Sequence, residues 1–374
     1  MSFVTFRDST IREGIETPGL YLSLDEKLEI VKKVEQIGIK EIEIQLPNNI
    51  KDTIEIGSKI KETGLKLITT GFLFQWLPME VLEKQLNELN KVIDKFIITI
   101  PGSKPHIAMR KVDISEIIKK VKQIIEYLNK YNIKFELGIM DAFQSTDTDF
   151  YNIIFELKDF VNHYVLYDTT GTGTPELFEL KVKRLRDIHP SSRILVHAHN
   201  DFGLATINTI RGIKAGANGA DTVLIGLGDR GGNASFEEVV VGLDKLYSVN
   251  TGINLSNIYK TCVETAEIFN FSIPPLKPII GKNTFCHETD LHIDSIFTDN
   301  KRAFEPFDPA SIGNRRSFIF SDSTYKNSLE SILKFYRKEV NKISIENLYK
   351  KLNLLSLEKG SIDEKDIFEI VNSI

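Results

Sequence analysis

From residue 3 to about residue 250 the chain alternates between two hydrophobic rhythms. Short runs of β-branched and aromatic residues are each followed by a longer run with apolar residues every three to four positions. The first rhythm suits a buried strand, the second a helix with one apolar stripe. The strand candidates are Phe3–Asp8, Glu41–Leu46, Leu65–Phe72, Phe96–Pro101, Lys134–Asp141, Tyr164–Thr169, Ile194–Asn200 and Thr222–Gly228. The most regular helix candidate is Ile114–Tyr131, with positions 114, 117, 118, 121, 124, 125 and 128 apolar and on one stripe. A second, Glu176–Ile188, is preceded by Thr174 as N-cap and Pro175 at the first helical position.

Eight strand–helix units in roughly 250 residues predict an α/β fold of the (β/α)8 TIM-barrel type. An open, doubly wound sheet uses the same alternation and is the rival. The count of eight and the polar residues at many strand ends favour the barrel, whose chemistry sits at the carboxyl ends of its strands. The alternation stops near Val249. Leu255–Phe269 still reads as helix, but Pro274, Pro275 and Pro278 cannot continue one. The predicted division is a catalytic barrel over 1–272, a Pro-rich linker over 273–285, and a small mixed or helical C-terminal subdomain over 286–374 that packs over a barrel mouth.

Composition narrows the function classes. With 41% hydrophobic and 26% charged residues the chain reads as globular. A net charge of −5 without a basic block argues against nucleic acid or an anionic membrane as partner. Nothing approaches the apolar run of about 18 residues that a membrane span needs, and the opening MSFVTFRDST lacks a signal layout. The two cysteines, Cys262 and Cys286, imply no disulfide framework and suit a cytoplasmic location.

Chemistry concentrates at three strand ends. His197 and His199 are two apart on one strand, so their imidazoles share a face, a natural half-site for a divalent metal. The first strand ends in Arg7-Asp8-Ser9-Thr10-Ile11-Arg12-Glu13-Gly14, which places carboxylates and a guanidinium at the same end. Glu13 with two imidazoles leaves open positions on a six-coordinate ion for a bidentate 2-oxo acid. The glycine-rich stretch Gly226–Ser235 suits an anion cradle. The loop Asp168–Pro175 is either a carboxylate site or an N-cap arrangement.

These motifs, RDSTIREG, DTTGTGTP, HAHNDFGLA, GLGDRGGN, HETDLH and FEPFDPASIG, together resemble those of the metal-dependent Claisen-condensing barrels. That group comprises the homocitrate, isopropylmalate and citramalate synthases and shares its barrel with lyases and aldolases. The resemblance runs from residue 1 to about 315 and implies roles. Glu13, His197 and His199 would bind one divalent metal (Mg, Mn or Zn), with Asn233 in or near its shell. Asp8 would orient the site, and Arg12 would steady a developing enolate or alkoxide. Thr169 would hold the 2-oxo acid's carboxylate, with Glu16, Gly138 and Met140 at the substrate. Glu43 would be an acidic residue of the substrate site. His292 would be part of the acid/base apparatus, reaching the barrel of a neighbouring subunit in a homodimer. Acetyl-CoA or a similar acyl-CoA would be co-substrate.

The chain also departs from the family pattern. Glu16 stands where a glutamine is usual, Gly138-Ile139-Met140-Asp141 where Ser-x-Glu-Asp is usual, and Phe304 where a tyrosine is usual. Condensation of acyl-CoA with a 2-oxo acid is the leading expectation. A lyase or aldolase using the same ion is the alternative, and a non-catalytic binding protein the third. The fifth-strand end, with Gly138, Met140 and Phe143, predicts an apolar wall, and Glu136 would repel a dicarboxylate if it points inward.

Overall fold

Seven of the eight predicted runs hold strands of one closed, all-parallel, eight-stranded barrel in the computed structural model, which describes residues 4–45, 49–298, 301–338 and 342–372. Its strands are β1 (Thr5–Asp8), β2 (Glu41–Glu43), β3 (Ile68–Phe74), β4 (Lys95–Pro101), β5 (Phe135–Met140), β6 (His163–Asp168), β7 (Arg193–Ala198) and β8 (Gly219–Thr222). The Phe3 and Leu46 ends of the first two predicted strands lie outside the described residues. Closure excludes the open sheet: β8 pairs with β1 from Thr5↔Gly219 to Asp8↔Thr222.

The helices follow from local chemistry. The helix Leu24–Gln36 opens with a capping box between Ser23 and Glu26. In Ile114–Lys130 the stripe Ile117, Ile118, Val121, Ile124, Ile125 and Leu128 is buried, each side chain contributing about 1.5–3 kcal/mol as an upper bound. Pro175–Ile188 starts where Thr174 accepts from the Leu177 N–H.

The eighth strand corrects the prediction. Of the predicted run Thr222–Gly228 only Thr222 is strand; the strand is Gly219–Thr222, GADT. After Thr222 the chain enters a 3-10 turn, Leu224–Gly226, with Ile225 at φ 68°. The strand had to start at a glycine: a Cβ on Gly219 would fall on the Thr5 carbonyl oxygen.

The lumen is ionic rather than apolar at mid-depth. Arg7, fully buried, receives Asp221 at 2.8 Å, Glu43 at 3.5 Å, and Glu136. Lys95 joins Glu41 at 2.8 Å to Glu136 at 2.9 Å. Buried charges are tolerated only when paired in this way. Glu136 does point inward, but Arg7 and Lys95 neutralise it, so it does not act as the free repelling charge expected of it.

The chain divides into two units, 1–254 with 261–272, and 255–260 with 273–374. The predicted helix Leu255–Phe269 is a 3-10 turn, Leu255–Asn257, followed by a helix, Ile258–Ile268. In the second unit β9 (Cys286–His287) and β10 (Ser317–Phe318) pair in parallel. Its helices include Asp290–Ile296, Lys326–Phe335, Lys342–Lys359 and Glu364–Asn372. One of its cores packs Phe320, Leu329, Leu333, Leu348, Leu352, Ile362 and Ile367. No described helix is long and apolar enough to cross a membrane.

Candidate active site

Three strand ends converge. β7 stops at Ala198, but His199 stays extended through a bridge to Asn233, so His197 and His199 keep one face, with ring centroids 5.2 Å apart. After β1 a single helical turn, Thr10–Glu13, swings Arg12 and Glu13 over the same end. Asp8 sets that turn by accepting from the Thr10 N–H at 3.0 Å and the Thr10 hydroxyl at 2.7 Å. The Thr10 hydroxyl in turn accepts from the Leu224 N–H, tying the turn to the segment after β8.

Glu13, His197 and His199 are buried and offer one ligand atom each, all within 4.8 Å of one another. His197 Nε2 lies 3.3 Å from Glu13 Oε1, and its Nδ1 lies 3.2 Å from Asp221 Oδ2. A carboxylate behind a ligating imidazole fixes its tautomer and orientation. Asn233 donates to Glu13 Oε2 at 3.2 Å and to the Leu227 carbonyl at 3.1 Å. Two buried polar atoms here lack any partner, His199 Nδ1 and Asn233 Oδ1. Two imidazoles, a carboxylate and an orphaned amide oxygen fit a divalent cation of borderline hardness.

Glu13 and His199 carry the charge states that ligation needs, whereas His197 must release a proton to bind an ion. Burial would raise the Glu13 carboxyl, but the Arg12 guanidinium overrides it and holds the group well below the usual carboxylate range. Burial opposes charge on His197, yet hydrogen bonds to Asp221 and Glu13 carry it up to about 9. Burial, helped by His197, lowers His199 to about 4, so it is a neutral imidazole. Asp8 is raised to about 7 by burial.

A cavity of about 330 Å³ opens beside these groups. Of the residues expected at the site, Arg12, Glu13, Glu16, Met140, Thr169, His197 and His199 line it. Thr169 accepts from the Asp141 N–H at 2.8 Å, which leaves its own proton free to donate. Burial raises the Glu16 carboxyl, and Arg12 lies 3.9 Å away.

Others fall elsewhere. Glu43 is fully buried, 2.9 Å from Arg12 Nε and 3.5 Å from Arg7, so it braces the guanidinium instead of facing substrate. Gly138 is covered: a Cβ there would meet Ile97 and the Tyr167 ring, so it is not a lining residue. Asp8 bonds to Thr10 rather than to a ligand residue, so it acts on the site through the Thr10–Glu13 turn. Phe143 stacks on Phe178 at 3.6 Å and is buried, leaving Met140 to form the apolar wall with Phe72 and Phe74. His292 belongs to the second unit, where it stacks on Phe304 at 4.0 Å.

The structure also adds residues. Asp221 and Arg7 stand behind His197. Tyr167 lines the cavity with a buried hydroxyl that has no partner. Arg230 lies 2.8 Å from Asp201 and donates to the Thr169 carbonyl at 2.7 Å, locking three strand-end loops together. The signal for Arg7 was a charge in mid-strand; for Asp221 it was hidden by the misplaced eighth strand.

Comparison with known proteins agrees. Residues 4–263 match the HMGL-like family, and 279–359 match the family described as homocitrate synthase post-HMGL domain-like. The chain is 28% identical to a homocitrate synthase of Methanocaldococcus jannaschii, over 98% of this chain and 90% of that one. It is 29% identical to an (R)-citramalate synthase of the same organism, over 98% and 74%. A solved HMG-CoA lyase from Bacillus subtilis shares the fold, with a TM-score of 0.62 at 20% identity, over 73% of this chain and 96% of that one. With an Asp8-Arg12-Glu13 turn and a His197-x-His199 strand end brought together at the mouth of one barrel, the chain belongs to the HMGL-like family.

Proposed function

We propose that the chain is a divalent-metal-dependent acyltransferase that condenses acetyl-CoA, or a similar acyl-CoA, with a 2-oxo acid. The observation that carries this reading is the single cavity on which Glu13, His197, His199, Arg12 and Thr169 all open. The homocitrate and citramalate synthases among its relatives support it.

Glu13, His197 and His199, with Asn233 beside them, would hold the ion. A bound divalent cation supplies Lewis acidity toward a ketone oxygen and a neighbouring carboxylate oxygen. Thr169 donates its free hydroxyl proton to the substrate carboxylate. A base takes a proton from the thioester methyl group, and the resulting enolate carbon bonds to the ketone carbon, whose oxygen becomes an alkoxide. Arg12, braced by Glu43, meets that alkoxide with a fixed positive charge that needs no reorganisation. Tyr167 lines the same cavity, and its hydroxyl is buried and unpartnered. Water then cleaves the thioester, releasing free thiol and a second carboxylate.

Within the barrel Glu13 is held ionised as a ligand and Glu43 is fixed between two guanidinia. The proposed acid/base group is the one the family resemblance implies, His292, supplied by the second unit of a partner subunit in a homodimer. The test is release of free thiol from acetyl-CoA with a panel of 2-oxo acids, before and after chelation. Metal-dependent thiol release with at least one 2-oxo acid is expected. Cleavage of a 3-hydroxy or 4-hydroxy-2-oxo acid without thiol release would replace this reading with a lyase or aldolase.

A further inference from the structure

Gln75 follows β3 at the mouth face of the barrel and is only 3% exposed, yet neither atom of its amide has a hydrogen-bond partner. A buried amide left in that state asks for a ligand. Gln75 faces a second cavity of about 350 Å³, walled also by Trp76, Arg110, Glu116 and Lys120. The Arg110 guanidinium lies 3.7 Å over the Trp76 ring, and its Nε is buried without a partner. Neither Arg110 nor Lys120 has an ion-pair partner among the described residues, and Glu116 is the lone carboxylate on the wall.

This cavity adjoins the catalytic one. Phe72 and Phe74 are two apart on β3 and share a face, and Trp76 extends the row. Arg12 lies 5.1 Å over Phe72, Phe72 stacks at 6.2 Å on Phe74, and Phe74 at 4.5 Å on Trp76. An aromatic row thus runs from the metal-ligand cluster to an unneutralised guanidinium at the rim.

We propose that the second cavity holds the amide-bearing arm and phosphates of the acyl-CoA, a reading that rests on the condensing function. The arm's methylenes suit the aromatic row, its amides pair with both ends of the Gln75 side chain, and a phosphate takes the free edge of Arg110 with Lys120 nearby. Phe74 and Arg110 already lie against the Trp76 ring.

Trp76 is the sole tryptophan of the chain, so its emission reports on this cavity without turnover. Coenzyme A and pantetheine, which lacks the phosphates, are titrated into the full-length protein. Coenzyme A should change the emission, Arg110→Ala should weaken its binding tenfold or more, and pantetheine affinity should stay within twofold. Gln75→Leu should weaken both ligands. Equal coenzyme A affinity in wild type and Arg110→Ala, or no response of Trp76 to coenzyme A, overturns the proposal. So does an Arg110→Ala defect confined to a dicarboxylic 2-oxo acid, which would make the rim a substrate-tail site. If coenzyme A binds in the Arg110-dependent way but no condensation occurs, the subsite stands and the reaction reading falls.

Discussion

At the residue scale, burial and hydrogen bonding oppose each other at Asp8. Its carboxyl is raised from 3.8 to about 7 because burial outweighs the two hydrogen bonds from Thr10. Between these values the folded chain keeps a proton that the unfolded chain has lost, so this group's contribution to stability falls as pH rises through the window. The full shift corresponds to roughly 4 kcal/mol. Asp8→Asn keeps the turn's acceptor and removes the titration. Urea unfolding at half-unit steps from pH 4 to 7 should therefore show the wild-type-minus-variant difference falling toward high pH; parallel curves would remove Asp8 from this role. Asp221 acts through another residue, His197. Asp221→Asn should lower divalent-ion affinity about 10–100-fold, read by metal titration on protein confirmed folded, whereas His197→Ala should lose bound ion and activity together. The substrate wall belongs to the same scale. Phe72, Phe74 and Met140 form its apolar part, and Glu16 and Asp229 are its carboxylates. Arg230 also lines the cavity but is already engaged by Asp201 and Asp229, so a distal substrate carboxylate would go without a free partner there at about 1–3 kcal/mol. Competition between 2-oxoglutarate and neutral-tailed 2-oxo acids should favour the neutral ones by about tenfold or more; faster turnover of 2-oxoglutarate than of every neutral acid would reverse this assignment.

Between residue and element lies the question of what the sequence made legible. Glu13, His197 and His199 were readable because a His-x-His pair on a strand and a charged turn after another strand carry their geometry in local spacing. Asp221 and Arg7 were not, because their meaning is a buried pair between strands 214 residues apart. Glu43 was readable as acidic and near the site, but only the fold shows that two guanidinia enclose it. The same limit applies to β8. An apolar run, Val223-Leu224-Ile225, outweighed GADT in the pattern, yet the barrel closes through Gly219 because only a glycine admits the Thr5 carbonyl. Gly219→Ala should thus destabilise the barrel by about 1–3 kcal/mol or more. Gly242 makes the matched control, since a Cβ there meets only the tip of Ile210 at 3.1 Å in a helix interior. Gly242→Ala should be neutral or stabilising by up to about 1 kcal/mol. Denaturant midpoints of the two variants moving together would show that the β1–β8 seam is not the tight point.

At the scale of the whole molecule the barrel carries the candidate metal-ligand set, and the proposed acid/base residue belongs to the other unit. His292 stacks on Phe304, and its neighbour Leu291 is 69% exposed, an apolar side chain beside a histidine that serves no core of its own unit. If His292 completes the barrel of a partner subunit, each active site draws on two chains. His197→Ala and His292→Ala would each be inactive alone, one through its barrel and the other through its second unit. In a mixed dimer one site would carry both defects and the other neither, because the intact barrel of one chain would meet the intact His292 of the other. Mixing the two inactive proteins under conditions that exchange subunits should restore activity to about one quarter of the wild-type level, since half of randomly paired dimers are mixed and half of their sites are whole. If His292 served its own barrel, every site in the mixture would keep one defect. Activity that stays at the level of the single variants after verified subunit exchange would return His292 to its own barrel, and an active His292→Ala protein would place the acid/base group elsewhere.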